Sequence, residues 1–379
     1  MQARLCPHNL DANRMDSRPV RAWRAWLARA LGLGLLVFVA ACAKDYPQTT
    51  LAPASDITRM IDSLFRTTFW WAAAVFVLVE GALVYALWRF RAKPNDPKPE
   101  QSHGNTTIEI AWTVIPAIIL VFIAIPTVRT IFKTSLPAPN PEVEVEVIGH
   151  QWWWEYRYPK LGVVTANELV VPQGKMVGLR MWSADVLHSF WSPQLASKRD
   201  VFPIFSKTKF KKVNPLWFTA DTVGDYTGQC AELCGIQHAR MGLRVIVKSQ
   251  ADFDQWVVAS RVGSPLVNGA KVDPGLDSAW KTDTIHTKGQ AAFLAGGCIS
   301  CHAMVGTPLA GALKLRGPNL SHLGARTTIG ANMYENTPTN LARWLRDPQG
   351  MKQGSHMILP RPLTETEITA LVAYLRMHK

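Results

Sequence analysis

The run Cys230-Ala-Glu-Leu-Cys234-Gly-Ile-Gln-His238-Ala-Arg-Met241 sets two thiols, an imidazole and a thioether within twelve residues, and Asp-Val-Leu-His188-Ser lies upstream of it. Two thiolates, two imidazoles and a thioether are soft and borderline donors, which favour copper over hard cations. A structural Cys₂His₂ zinc site would use four of these five groups. Met241 has no place in such a site and completes a copper set. A second cluster, Cys298-Ile-Ser-Cys301-His302, has the spacing of covalent haem attachment. Two thiols three residues apart can each add to a vinyl group, and the adjacent imidazole then reaches the iron. A CxxC redox disulfide or half of a zinc site would share the first four positions but would not require the histidine. An electron-transfer haem also needs a ligand on its opposite face, commonly Met. Met304 is too near His302 in sequence to cross to that face, which leaves Met333, Met351 and Met357; of these, Met357 stands one loop ahead of the last predicted helix.

The elements that must position these donors are legible in the patterning. Residues 1–41 carry six arginines ahead of an apolar run over 31–41, too short for a hydrocarbon core of about 30 Å but right for a signal peptide. The run ends Val39-Ala40-Ala41-Cys42, which resembles the lipobox of bacterial lipoproteins and implies that Cys42 is the lipidated first residue of the mature chain. An ordinary cleavage site with an incidental cysteine is the other reading, and Met15 is an alternative start. Residues 42–62 form an N-terminal periplasmic segment, and 63–136 a transmembrane hairpin, with apolar stretches at 64–90 and 108–132 each exceeding the roughly 20 residues a span requires. The loop between them holds Arg91, Lys93 and Lys98, with Arg89 at its edge, which places it in the cytoplasm. Pro116 and Pro126 within the second stretch imply neighbouring subunits that satisfy the freed carbonyls.

Over 137–262 the period changes to two. Val143, Val145 and Val147 alternate with Glu142, Glu144 and Glu146, and strand-like runs recur at 168–171, 177–182, 216–220 and 243–247. Short strands between Gly, Pro and Asp predict a β-sandwich. Residues 263–283 are rich in turn formers without a period and read as a linker. Treated as flexible, it spans roughly 25 Å from 5–6 Å × √n, which would hold the last domain at an effective concentration on the order of millimolar. The domain at 284–379 opens with a helix near 286–296 and closes with one over 364–378, where Thr364 and Glu367 form a capping box and Ile368, Leu371, Val372 and Leu375 share a face. The net charge of +13 gathers at the two ends of the chain. With no basic run interleaved with aromatics, nucleic acid is not an expected partner, and the basic last domain favours an acidic donor.

The copper run together with its upstream histidine resembles the copper domain of cytochrome c oxidase subunit II, over about residues 56–262. The resemblance implies that Cys230 and Cys234 bridge a binuclear CuA centre, with His188 and His238 as terminal ligands and Met241 as a weak one. It further implies that Glu232 gives its carbonyl to copper and its carboxylate to a Mg²⁺ shared with subunit I. Gly149-His-Gln-Trp152-Trp-Trp-Glu-Tyr is similar to the family's GHQWYW strand and implies Trp152 as the surface port for electrons from cytochrome c, although some of these aromatics must pack the sandwich. Glu109, three before Trp112, matches the carboxylate at the mouth of a proton channel into subunit I; Glu80, costly in a membrane segment, matches nothing. Where the family has Gly-Arg after Lys-x-Asp-x-x-Pro, this chain has Lys198-Arg-Asp200-Val-Phe-Pro203-Ile-Phe, so contacts of that loop differ.

The segment from Trp344 to Met357 resembles the axial-methionine loop of class I cytochromes c, which implies Met357 as the sixth ligand. Gly317-Pro318-Asn319-Leu320 resembles the loop lying against the haem, and Phe293 and Tyr374 the contact between first and last helices. Together these features imply a multidomain membrane protein of the caa-oxidase type, with a two-helix transmembrane hairpin, a cupredoxin-like β-sandwich and an all-α class I cytochrome c domain. Implied with it are oxidase subunits I and III, a cytochrome c-type donor and a bacterial inner membrane with both soluble domains on its periplasmic face. Nitrous oxide reductase also carries CuA but needs a multi-histidine cluster that ten histidines, several already assigned, do not build. A quinol oxidase subunit would lack the copper ligands, and a free-standing carrier or assembly factor would not need the hairpin. If Cys42 is the mature N-terminus, mass spectrometry finds it acylated, and Cys42→Ser stays in the membrane through the hairpin without the acyl mass; an unmodified wild-type N-terminus rejects the lipid.

Overall fold

A computed structural model describes residues 26, 29–34, 36, 46–92, 97, 101, 104–204, 213–267, 279 and 281–378; Cys6, Cys42, Lys93 and Lys98 lie outside them. Residues 1–46 are a unit apart from 47–379, and within the first unit 29–34 are helical.

Two long helices, α1 (Asp56–Arg89) and α2 (Thr106–Ser135), form the hairpin. Their most apolar stretches bury nothing inside the protein, an exposure that hydrocarbon tolerates and water does not. Trp71 stacks on Phe122 where the helices meet, at 6.2 Å. Pro116 and Pro126 lie inside α2, which continues through both. Helix α1 begins at Asp56, ahead of the apolar stretch, because Ser55 and Thr58 form a reciprocal capping box. These first turns belong to the sandwich. The Asp56 carboxylate accepts the Thr219 amide at 2.8 Å, Thr58 donates to the Gln194 carbonyl at 2.9 Å, and Ile57 joins the sandwich core. At the other end of the hairpin Arg199 donates to the Thr134 carbonyl at 2.7 Å. Both outer ends of the hairpin thus meet the sandwich.

Ten strands build the sandwich: β1 (Val143–His150), β2 (Trp153–Tyr158), β3 (Val163–Ala166), β4 (Glu168–Pro172), β5 (Met176–Ser183), β6 (His188–Ser192), β7 (Ala196–Val201), β8 (Asn214–Thr219), β9 (Gly224–Cys230) and β10 (Gly242–Lys248). They pair as β3-β2-β1-β5-β8 and β4-β10-β9-β6-β7, with β1 parallel to β5 and β10 parallel to β4. The alternating valines of β1 point inward and are buried, as the period of two requires. Helix α3 (Gln250–Ser260) closes one end, with Phe253 and Val257 in the core.

The last domain is built on α4 (Thr284–Ala295), α5 (Pro338–Arg346) and α6 (Glu365–Met377), with a short ribbon β11 (Thr328–Ile329) and β12 (Tyr334–Glu335). Thr364 and Glu367 form the expected capping box. Phe293 and Tyr374 meet edge-on at 6.2 Å, both fully buried. Most of the linker expected over 263–283 lies outside the described residues, and the domain that follows it makes its own contacts with the sandwich. It rests on the sandwich, where Gly242 donates its amide to the Ala331 carbonyl at 3.1 Å and the Trp153 indole donates to the Arg316 carbonyl at 3.2 Å.

Helices α4 and α6 cross at Gly289, where an added Cβ would overlap the Tyr374 Cβ and stand 3.0 Å from the Ala370 carbonyl oxygen. Gly289→Ala gains about 1 kcal/mol of helix propensity, but overpacking a close backbone crossing costs about 1–3 kcal/mol. The variant should therefore unfold its cytochrome domain at lower temperature when the transition is followed by the haem absorbance; an unchanged or raised midpoint would show that the crossing has slack.

Candidate copper and haem centres

Cys230 ends β9 and Met241 stands just before β10, its antiparallel neighbour. The Cys230 amide donates to the Met241 carbonyl at 2.9 Å, so the loop between them is closed at its neck. Inside it Gly235 adopts φ +115°, a conformation that favours glycine, and His238 opens a single 3₁₀ turn. His188 opens β6, which runs beside β9 with Phe190 opposite Cys230. An added Cβ on Gly149 would come within 2.8 Å of the His188 ring, so only glycine lets that ring lie on the backbone of β1.

All the ligands expected from the sequence converge here. The Cys230 and Cys234 sulfurs are 3.7 Å apart. His188 Nδ1 lies 3.8 Å from Cys230 Sγ, and His238 Nδ1 lies 3.7 Å from Cys234 Sγ. Met241 Sδ is 3.9 Å from Cys234 Sγ, and the Glu232 carbonyl is 3.3 Å from Cys230 Sγ. Both cysteines are free thiols, since a disulfide would need about 2.05 Å. Hydrogen bonding with Cys234 first, then with His188 and the backbone at Glu232 and Ser189, draws the Cys230 thiol far below the usual thiol range, against burial. Two adjacent thiolates repel, so a cation is what lets both ionise. His188 turns Nε2 to the Asp185 carboxylate at 2.9 Å, leaving Nδ1 toward the sulfurs. Burial would lower the His188 pKa, and Asp185 and Cys230 together outweigh it and raise it. The donor set fits copper.

The second cavity is lined by Cys298, Cys301, His302 and Met357, with Trp152 and Arg326 among its other walls. His302 Nδ1 donates to the Pro318 carbonyl at 2.8 Å, which leaves Nε2 available to ligate a metal. Burial holds this imidazole below the usual histidine range and so neutral. An added Cβ on Gly317 would overlap the His302 ring, which explains the glycine before Pro318. Met357 Sδ accepts the Trp344 indole N–H at 3.1 Å. Met304, Met333 and Met351 do not line the cavity. Arg326 is 8% exposed, and its Nε has no hydrogen-bond partner among the described residues; burial lowers its pKa to about 10. A buried cation with a spare donor suits a cavity that must take the carboxylates of a haem. The residues fit the group.

Trp152 departs from expectation. It is 8% exposed and so not a surface residue. Its indole N–H donates to the Cys234 carbonyl at 2.9 Å, beside Gln151, which donates to the same oxygen at 2.7 Å. On its other side the ring lies 4.7 Å from that of His356, the neighbour of Met357. Gly235 leaves room for this indole, since its Cβ would stand 3.0 Å from Trp152 Cζ2. The three tryptophans divide: Trp153 stacks on His150 at 4.1 Å, and Trp154 is core beneath His188. Glu109 is in the first turn of α2, at the end of the hairpin away from the sandwich, and reaches neither centre. Sequence reasoning passed over Asp185, Arg326 and His356. The Asp-x-x-His spacing could have revealed Asp185; the other two carry no local signal.

Comparison with known proteins identifies the family of each domain. Residues 46–130 match the profile of the cytochrome c oxidase subunit II transmembrane domain, 162–249 that of its periplasmic domain, and 286–379 that of cytochrome c. A protein of Alkalihalophilus pseudofirmus named cytochrome c oxidase subunit 2 is 34% identical over 369 residues, covering 95% of this chain and 99% of that one. Its namesake in Bacillus subtilis is 30% identical over 377 residues, covering 94% and 98%. Three domain profiles in this order and similarity along nearly the whole length place the chain in the family of cytochrome c oxidase subunit II, in the caa form that carries a fused C-terminal cytochrome c domain.

Proposed function

We propose that the chain is the electron intake of a haem–copper terminal oxidase in a bacterial inner membrane, its soluble domains on the periplasmic face. Electrons from a cytochrome c-type donor pass by way of haem c and CuA to subunit I, where oxygen reduction is coupled to proton pumping. When bound, each of the two centres supplies reversible one-electron chemistry. The observation that carries the reading is the place of Trp152, hydrogen-bonded to the Cys234 carbonyl on one side and against His356 on the other.

The protein's own groups hold both sites ready. Cys298 and Cys301 would hold the haem covalently, His302 would ligate through the nitrogen that Pro318 leaves free, and Met357 would supply the second ligand, its sulfur steadied by the Trp344 N–H. Cys230, Cys234, His188, His238, Met241 and the Glu232 carbonyl hold the copper pair, and Asp185 fixes the orientation of His188. With its carbonyl turned to Cys230, Glu232 keeps a half-exposed carboxylate for Mg²⁺ shared with subunit I. The exposed Glu109 serves the mouth of a proton channel into subunit I, and the bare apolar faces of α1 and α2 pack on subunits I and III.

Trp152→Phe removes the bond to Cys234 but keeps an aromatic ring. Turnover should fall at least about tenfold, equal to about 1.4 kcal/mol in the barrier, while near-infrared copper absorption and the haem c α-band stay unchanged; full turnover would remove Trp152 from the path. Met357→Ala should abolish the weak long-wavelength sulfur-to-iron band of the ferric haem while the haem stays attached through Cys298 and Cys301. Loss of that band in Met333→Ala instead would move the ligand role to Met333.

A further inference from the structure

The contact between the cytochrome domain and the sandwich is built around buried charge. Glu168, the first residue of β4, is 4% exposed. One of its carboxylate oxygens accepts the amide and hydroxyl of Thr327 at 2.8 and 2.7 Å, and those of Thr328 at 2.9 and 3.1 Å. Arg244 of β10 donates to the same Thr327 hydroxyl at 2.7 Å. From the other side comes Lys352, 3% exposed. Its ammonium donates to the Trp152 carbonyl at 3.2 Å and to the Gly330 carbonyl at 3.0 Å. Between these two anchors Asn332 donates to the Leu243 carbonyl at 3.3 Å.

Burying a carboxylate and an ammonium this far costs several kcal/mol of desolvation, which the hydrogen bonds made across the contact must offset for the domains to stay together. Separation of the domains takes all four donors from Glu168 and the Trp152 carbonyl from Lys352. Both groups therefore act on where the cytochrome domain sits. Neither lies among the haem or copper ligands.

We propose that Glu168 and Lys352 are positioning residues that lock the cytochrome domain over Trp152, so that this chain's own haem is coupled to copper and a soluble cytochrome c is kept from the tryptophan. The inference rests on the electron path proposed above. An external donor then delivers to the cytochrome domain and not to the sandwich.

The test uses the intact oxidase complex with Glu168→Gln, which is nearly isosteric, and Glu168→Gln combined with Lys352→Met. Haem c is photoreduced and copper reduction followed in the near infrared, with both redox potentials measured. Lowering the docked fraction lowers the apparent rate in proportion. The double variant should lose about tenfold or more in the haem-to-copper rate, with spectra unchanged and a loss larger than any measured change in driving force accounts for, as expected when charged hydrogen bonds at an interface are removed. Reduced soluble cytochrome c should then gain a direct copper-reducing phase that the wild type lacks. Glu168→Gln alone should show both changes to a smaller extent and guards against misfolding of the double variant. Wild-type transfer rates in both variants, with soluble cytochrome c still excluded, would overturn the lock while leaving the path intact. A wild type in which haem reduction is never followed by copper reduction would overturn the path and the lock together.

Discussion

The hydrogen bond from the Cys230 amide to the Met241 carbonyl sets the geometry on which the rest depends. It makes the first and last ligands of the copper loop strand partners, so the spacing of donors follows from the pairing of β9 with β10. A sheet ladder is rigid and buried on its inner face, and a metal site built on it inherits that rigidity. His188 is brought in by the same logic, on the strand that neighbours β9. The loop then presents the Cys234 carbonyl outward, where Gln151 and Trp152 both donate to it. The copper loop and the side chains of Gln151 and Trp152 that cap it are thus one hydrogen-bonded piece.

The haem site follows the opposite plan. Its donors stand on loops, and helices α4 and α6 supply the frame by crossing at Gly289. Loops need something to hold them, and each of the two proposed ligands has its own support: Pro318 for His302, Trp344 for Met357. Gly317 and Pro318 are adjacent because the first must leave room for the imidazole and the second must offer a carbonyl to it. The remaining wall of the cavity comes from the sandwich through Trp152.

Most of this was legible in the sequence where a residue's role is set by its near neighbours. The cysteine and histidine spacings, the two membrane stretches, the alternating valines of β1 and the Thr364–Glu367 box are local patterns, and local geometry carries them into the fold. The start of α1 at Asp56 was hidden because the apolar period begins later, while the capping box that starts the helix serves the sandwich. What could not be read was the meeting of the domains. Glu168 and Lys352 are ordinary charged residues in unremarkable surroundings until chain segments distant in sequence come together. A linker's composition says how far it can reach. It says nothing of whether the domain beyond it finds a partner, and so Trp152 read as a surface residue although it lies beneath His356.

The separation of those partners along the chain bears on how the molecule is made. Glu168 and Thr327 are 159 residues apart, and Trp152 and Lys352 are 200 apart. Closing such long loops costs more entropy than any local contact, and pairs of this kind form late, after each domain has acquired its own structure. The sandwich leaves the ribosome first, with Trp152 open to solvent until the cytochrome domain has been synthesised and folded. Maturation therefore has a built-in order: the face over the copper loop is accessible early in the life of the chain and shut once its C-terminal quarter is in place.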